Sequence, residues 1–174
     1  MTALKRAAFF DRDGVINLDH GYVGSLDRFE LVEGAARAVR LCREAGCLVF
    51  VITNQAGVAH GYFDEAAVNA LHDHMRALLA ADGAEIDDVR FCPHHPQAKQ
   101  PHYRELCSCR KPGAGMILDL AGSWSVDLAH SFLVGDKESD LEAAERAHMR
   151  GFLYREGPLD LYVAGLISRM AEVA

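Results

Sequence analysis

The run Leu48-Val49-Phe50-Val51-Ile52 carries no polar side chain at any position. A strand with one face in water alternates apolar and polar residues, because successive side chains point to opposite faces. A strand that is apolar throughout must be covered on both faces, as in a parallel sheet sandwiched between helices. Apolar strand-like runs recur at 7–10, 89–92, 131–134 and 151–154. Between them, segments at 34–45, 64–81, 113–120, 138–148 and 159–171 show helical periodicity. Gly46 stands where a helix should stop, and Asp64 where one should start with Glu65 in its first turn. Strand and helix alternate, which predicts an α/β fold: a doubly wound, mainly parallel sheet with helices on both faces.

In an open parallel sheet the ligand crevice lies beyond the carboxyl ends of the strands. Four segments with chemically capable side chains fall there: Asp11-Arg12-Asp13-Gly14, Thr53-Asn54-Gln55, Arg110-Lys111, and the stretch from Gly135 to Asp140. In a bare strand residues i and i+2 share a face, so Asp11 and Asp13 would repel each other unless a cation or an exposed site compensated. A divalent metal resolves that conflict, and Gly14 lets the chain turn away.

The 174 residues contain no repeat, low-complexity tract or linker, and suit one domain spanning 1–174. A formal net charge of −7 gives no pull toward nucleic acid or anionic lipid, so neither is expected as a partner. An anionic substrate must then be held by local cations, for which Arg110, Lys111 and Lys137 are the candidates. The first residues show no signal-peptide pattern and no apolar stretch approaches the ~20 residues of a membrane span, which leads to the expectation of a cytosolic protein. No coiled-coil pattern is evident, and a monomer is the default expectation.

Five cysteines in a reducing compartment favour metal ligands or buried thiols over disulfides. Cys42 and Cys47, flanking Gly46, read as small buried thiols. Cys92-Pro93-His94 and, twelve residues further on, Cys107-Ser108-Cys109 supply three thiolates and an imidazole, a complete tetrahedral set for zinc. His95 rivals His94 for the fourth position, and sequence order does not choose between them. His72 and His74 lie on a polar helical segment without a matching ligand set and read as solvated. Trp124 is expected to pack near a helix end.

The four loop segments stand in the order and context of the haloacid dehalogenase-like phosphatases, which the chain resembles over nearly its whole length. Asp19-His20-Gly21-Tyr22-Val23, Thr53-Asn54-Gln55, Cys92-Pro93-His94-His95-Pro96 and Cys107-Ser108-Cys109-Arg110-Lys111-Pro112 are similar to the sugar-bisphosphate branch of that family, whose neighbour is the histidinol-phosphate branch. The resemblance implies an enzyme that removes the 7-phosphate of a heptose 1,7-bisphosphate, in the synthesis of nucleotide-activated heptose for bacterial surface glycans. It implies Asp11 as nucleophile and Asp13 as general acid and base. Thr53 and Lys111 would clamp the transferring phosphoryl group. Mg²⁺ would be held by Asp11, Asp136 and the backbone carbonyl of Asp13, with Asp140 supporting from outside. Structural Zn²⁺ would be held by Cys92, His94, Cys107 and Cys109. Substrate contacts are implied for Asp19, His20, Gly21, Tyr22, Asn54, Gln55, Arg110 and Lys137, the second phosphate falling to Arg110.

No stretch is long enough for an inserted cap domain. Gly113-Ala114-Gly115 departs from the histidine and proline common at that place in relatives, which leaves the shape of this rim open. A histidinol-phosphate phosphatase is the nearest alternative. A non-catalytic zinc-stabilised binding protein is the remote one, and it would be expected to have lost Asp11, Asp13, Lys111 or Asp136.

Overall fold

The structure, a computed structural model, describes residues 4–172. Residues 1–3, where the leaderless start was read, lie outside it. In chain order the elements are β1 (Ala7–Phe10), α1 (Ala35–Glu44), β2 (Leu48–Asn54), α2 (Ala56–Ala59), α3 (Glu65–Ala81), β3 (Asp88–Cys92), α4 (Gly115–Trp124), β4 (Phe132–Gly135), α5 (Glu138–Arg146), β5 (Arg150–Leu153) and α6 (Leu159–Glu172). The strands form one sheet in the order β3-β2-β1-β4-β5, every pair parallel. From β1 the chain winds outward through β2 and β3, then returns to the far side of β1 for β4 and β5. That reversal between β1 and β4 is the switch point at which such sheets bind ligands.

The alternation of β1 and β2 divides the core. Ala8, Phe10, Val49 and Val51 pack with residues of α1, α3 and α6, whereas Ala7, Phe9, Phe50 and Ile52 face α4 and α5. Phe9 stands opposite both Phe50 and Leu133 in the ladder, and its ring centroid lies 5.1 Å from that of Phe50. Burying each such side chain contributes about 1.5–3 kcal/mol, so the apolar strand that excluded an open sheet also forms the centre of the sandwich. No inserted cap domain is present among the described residues, and none of their helices is long and apolar enough to cross a membrane.

The expected stops and starts hold. Gly46 adopts φ +79° after α1, with its N–H on Arg43 O and that of Cys47 on Cys42 O. The Asp64 side chain accepts from Ala67 N at 2.8 Å, capping α3. Most boundaries shift by no more than a residue, and three elements depart from expectation by two or more. β2 runs on to Asn54 because Thr53 and Asn54 still pair with Phe91 and Cys92. α4 spans Gly115–Trp124 rather than 113–120, since Gly115 N donates to Ser108 O at 2.9 Å and thereby ties the helix start to the cysteine loop. α5 ends at Arg146, and two residues later His148 takes φ +55°. The single-turn helix α2 was not foreseen.

Candidate active site

Asp11 continues β1 by one residue, its N–H donating to Val134 O at 3.0 Å, which carries the carboxylate over the end of the sheet at the switch point. There it meets Lys111, whose Nζ lies 2.8 Å from Asp11 Oδ1, 2.6 Å from Asp140 Oδ1 and 3.2 Å from Ile52 O. Lys111 is buried and comes from a loop with no regular structure. It is held by Asn54, whose amide donates to Lys111 O at 3.0 Å and accepts from Lys111 N at 3.0 Å. Both polar ends of the Asn54 side chain thus bond the main chain of Lys111, while the residue also lines the cleft where its substrate contact is expected.

Asp140, expected to support the site from outside, lies at the centre of this cluster. Its Oδ2 accepts from Asp136 N and Lys137 N, both at 3.1 Å, closing the start of α5, while Oδ1 pairs with Lys111. An added Cβ at Gly135 would collide with this carboxylate. Asp13 is gripped from three sides. Arg12 donates to it from Nε and Nη2 at 3.0–3.2 Å, Asn17 Nδ2 at 3.0 Å and Gln55 Nε2 at 2.9 Å. Gln55 Nε2 also donates to Thr53 Oγ1 at 2.8 Å, so the Thr53 hydroxyl is left with its own proton to offer. Gln55 thus bridges Asp13 and Thr53.

Burial pushes the Asp11 carboxyl up to about 7, against the pull of Lys111 and with the push of Asp140 and Asp136. Burial also raises Asp136. For Lys111 burial alone would favour the neutral amine, but Asp11 and Asp140 outweigh it and hold the ammonium above its ordinary range. Asp11, Asp136 and Asp140 present oxygens within 4.8 Å of one another, and Asp136 Oδ1 is buried without a partner. Gly14, at φ +88°, makes this approach possible, since a Cβ there would collide with the Asp136 carboxylate. Hard oxygen donors in excess of the local positive charge, one of them unpaired, fit Mg²⁺.

Asp11, Asp13, Thr53, Asn54, Gln55, Lys111 and Asp140 line a cleft of about 520 Å³ with Asp19, Gly21, Tyr22, Arg110 and Lys137 along its rim, and Asp136 lines the neighbouring cavity with Gly14. Lys137 Nζ lies 3.7 Å from Asp19 Oδ2. Of the residues expected to touch substrate, His20 is missing from the cleft lining, its imidazole facing Glu30 at 3.7 Å. Ser139, Ala56 and Gly57 line the cleft without having been singled out. Ser139 lies inside a segment already flagged, whereas Ala56 and Gly57 belong to the unforeseen α2.

The cysteine cluster is a separate centre. Cys92 Sγ lies 3.0 Å from Cys109 Sγ and 3.5 Å from Cys107 Sγ, and Cys107 and Cys109 are 3.2 Å apart. His94 Nδ1 is 3.5 Å from Cys109 Sγ and 3.7 Å from Cys92 Sγ. His95 instead accepts from Gln97 N at 3.0 Å, so geometry separates two imidazoles that sequence order could not. A tetrahedral zinc with bonds of about 2.3 Å sets its sulfurs roughly 3.8 Å apart, close to this arrangement. The soft donor set fits Zn²⁺ and not Mg²⁺. Arg110, next to Cys109, donates from Nη1 to His94 O at 3.2 Å, so the loop steadies a cation on the cleft rim.

His72 departs furthest from expectation. It is buried, not solvated, and its Nε2 lies 3.2 Å from Arg12 Nη1. Burial, reinforced by Arg12, lowers its pKa to about 3. The one available sequence signal was Arg12 itself, an arginine locked between two carboxylates at the end of a buried strand.

A strand-end carboxylate touched by a lysine and adjoining an oxygen-donor cation site can accept a phosphoryl group. The haloacid dehalogenase-like hydrolases are the class that places such a carboxylate on a doubly wound sheet, and residues 108–160 match the HAD-hydrolase-like family. The chain is 49% identical to the D-glycero-beta-D-manno-heptose-1,7-bisphosphate 7-phosphatase of Rhodopseudomonas palustris, over 97% of this chain and 93% of that one. It superposes on a putative HAD-like phosphatase from Mesorhizobium loti with a TM-score of 0.88, at 30% identity and covering 99% and 89% of the two chains. For the D,D-heptose 1,7-bisphosphate phosphatase of B. bronchiseptica, solved with magnesium and phosphate, the TM-score is 0.81 at 32% identity, covering 97% and 99%. The chain therefore belongs to the heptose-1,7-bisphosphate 7-phosphatase family of the haloacid dehalogenase-like phosphomonoester hydrolases.

Proposed function

We propose that this chain hydrolyses the 7-phosphate of D-glycero-β-D-manno-heptose 1,7-bisphosphate and leaves heptose 1-phosphate, a step toward nucleotide-activated heptose. The observation that carries this is the buried Asp11–Lys111–Asp140 cluster at the floor of a cleft whose rim bears Arg110 and Lys137, in a chain so similar to enzymes of that activity. The β anomer is taken from the name of the Rhodopseudomonas relative.

An Asp11 carboxylate oxygen attacks the 7-phosphorus, a P–O bond to Asp11 forms, and the P–O bond to the sugar breaks. Asp13 gives its proton to the departing sugar oxygen. In the second step a water oxygen attacks the aspartyl-phosphate, Asp13 takes the water's proton, and the Asp11 carboxylate is released with inorganic phosphate. The donors from Arg12, Asn17 and Gln55 hold Asp13 in place for both transfers. Thr53 offers its hydroxyl proton to a phosphoryl oxygen. Lys111 has partners at all three of its donors, so it meets the phosphoryl group by exchanging one, the Ile52 carbonyl at 3.2 Å being the longest.

Asp11, Asp136 and the backbone carbonyl of Asp13 would hold Mg²⁺, with Asp140 orienting the loop. Bound there, the ion would screen the carboxylates and draw charge from the transferring phosphoryl oxygens. Cys92, His94, Cys107 and Cys109 would hold a structural Zn²⁺ that orders the loop carrying Arg110. Arg110 and Lys137 would receive the second phosphate, with Asp19, Gly21 and Tyr22 against the sugar. We further read the chain as a single phosphatase domain acting as a cytoplasmic monomer.

The test is phosphate release in the presence of Mg²⁺ from the α and β anomers of heptose 1,7-bisphosphate and from histidinol phosphate. Preferential turnover of the β anomer is expected. Preference for histidinol phosphate would overturn the substrate while keeping the Asp11 chemistry, and inactivity on all three would overturn both.

A further inference from the structure

The acid–base carboxylate is held by a residue far from it in sequence. Arg12 is entirely buried, with 0% of its surface exposed, an expensive place for a charge unless every donor direction finds a partner. Its Nε and Nη2 are directed to Asp13, and Nη2 also to Val23 O at 2.9 Å. Nη1 is directed to His72 Nε2 at 3.2 Å, across 60 residues, from α3. A guanidinium has donors and no acceptor, so this contact is a hydrogen bond only if Nε2 carries a lone pair and the ring proton sits on Nδ1. The ring is kept in place by an edge contact with Phe91, 5.8 Å between centroids. The lowered pKa of His72, caused by burial and then by Arg12, agrees with a neutral imidazole.

We propose that His72 is a positioning residue for the acid–base step, its Nε2 accepting from Arg12 and so keeping the guanidinium in its two-pronged contact with Asp13. The inference rests on Asp13 being the acid and base in the proposed reaction. Without the His72 acceptor, Nη1 has no partner in a closed pocket, and the guanidinium shifts toward other acceptors and carries Asp13 with it. Among the described residues, the other side-chain holds on Asp13 would then be the amides of Asn17 and Gln55.

The experiment compares His72→Met, which keeps the size and removes the acceptor, with His72→Gln, which restores an acceptor oxygen. Each is assayed on heptose 1,7-bisphosphate and on p-nitrophenyl phosphate. Both substrates give the same aspartyl-phosphate, whose hydrolysis also uses Asp13, so the comparison is made on kcat/KM, which reports only the steps through departure of the leaving group. Nitrophenolate leaves without protonation, so a defect in the acid step lowers kcat/KM on the sugar substrate alone. For His72→Met, kcat/KM on the sugar substrate should fall about tenfold or more, part of the roughly 10²–10⁴ that general acid–base catalysis contributes. The kcat/KM on p-nitrophenyl phosphate should stay near wild type, and His72→Gln should return most of the loss. Equal losses on both substrates, or none in a folded His72→Met protein, would overturn the inference.

Asp13→Asn is the control. If it shows no split between the two substrates, the acid–base reading itself fails and takes this inference with it. If Asp13→Asn shows the split and His72→Met does not, the inference alone fails. A second measurement needs no variant: the imidazole nitrogen resonances of wild-type protein at neutral pH should show His72 neutral and protonated on Nδ1. A proton on Nε2 would overturn the proposal.

Discussion

The floor of the cleft and the loop between the two cysteine pairs are held in opposite ways. On the floor, Asp11, Lys111 and Asp140 are buried and joined by short ion pairs, with Asn54 fastening the Lys111 main chain at both its N–H and its carbonyl. Segment 93–106 has little to bury: Ala98 is its sole fully buried apolar residue, and Leu106 stands 89% exposed. Polar contacts hold it instead: His95 N donates to Tyr103 O and Arg104 Nε to Ala98 O within it, and Tyr103 Oη to Glu65 at 2.7 Å and Gln100 N to Ala59 O outward. At its two ends stands the cluster of Cys92, His94, Cys107 and Cys109. The floor is organised by sheet geometry and charge, and the rim, on the proposed reading, by coordination. The two meet in adjacent residues, Arg110 and Lys111.

The sharpest way to break this division is at the floor. Asp11→Asn removes the attacking oxygen and should lower kcat by at least about 10³, the scale on which loss of a nucleophile acts. Because the carboxyl is already pushed up by burial, the variant should melt no lower than wild type in calorimetry. A variant that stays active would show that Asp11 is not the nucleophile.

Stripping zinc is the matching test of the rim. Phosphatase activity should fall tenfold to a hundredfold as Arg110 and Lys111 lose their setting. Hydrogen exchange should rise across 93–106 while β1, β2 and β4 stay protected. Full activity in demonstrably zinc-free protein would dissolve the proposed link between loop and cleft.

Asn54→Ala and Tyr103→Phe then compare one hold from each region. Asn54→Ala strands the amide and carbonyl of Lys111 and should cost about 1–3 kcal/mol in urea unfolding, with a fall in kcat. Tyr103→Phe, in exposed structure, should stay within about 0.5 kcal/mol. Equal effects would mean that the two regions are not held differently after all.

The smallest effect concerns pH. The His72 pKa lies near 3 in the fold against an ordinary 6.5, so between those values the unfolded chain binds a proton that the native protein does not. Its contribution to stability is complete above 6.5 and is lost as pH falls toward 3. Urea midpoints measured over that range should decline less steeply for His72→Gln than for wild type.

Much of this architecture was legible before any coordinates. The strands, the main helices and the turn at Gly46 follow from apolar periodicity and capping, which are local signals. The segments beyond the strand ends also converge as expected, because a parallel sheet brings its carboxyl ends to one edge. The misses have a common origin. His72 looked solvated because its neighbours on α3 are polar, yet its partner Arg12 lies 60 residues away. The tether made by Asn54 was equally invisible, because its amide is used on a loop 57 residues further on. The helix α2 spans only Ala56–Ala59, too short for periodicity to register.

By itself the sequence determined the alternation of strand and helix, the edge of the sheet at which chemistry would gather, and the donor types there: hard carboxylates in one group, thiolates and imidazole in another. Backbone geometry repeats every two or every 3.6 residues, and such patterns need only neighbours along the chain. Tertiary structure alone decided that His94 and not His95 joins the thiols, that Asp140 reaches Lys111, that Asn54 tethers the lysine loop, and that His72 completes the shell of Arg12. Those pairings depend on strand order and register, and their distances are set by packing between segments that no local pattern connects.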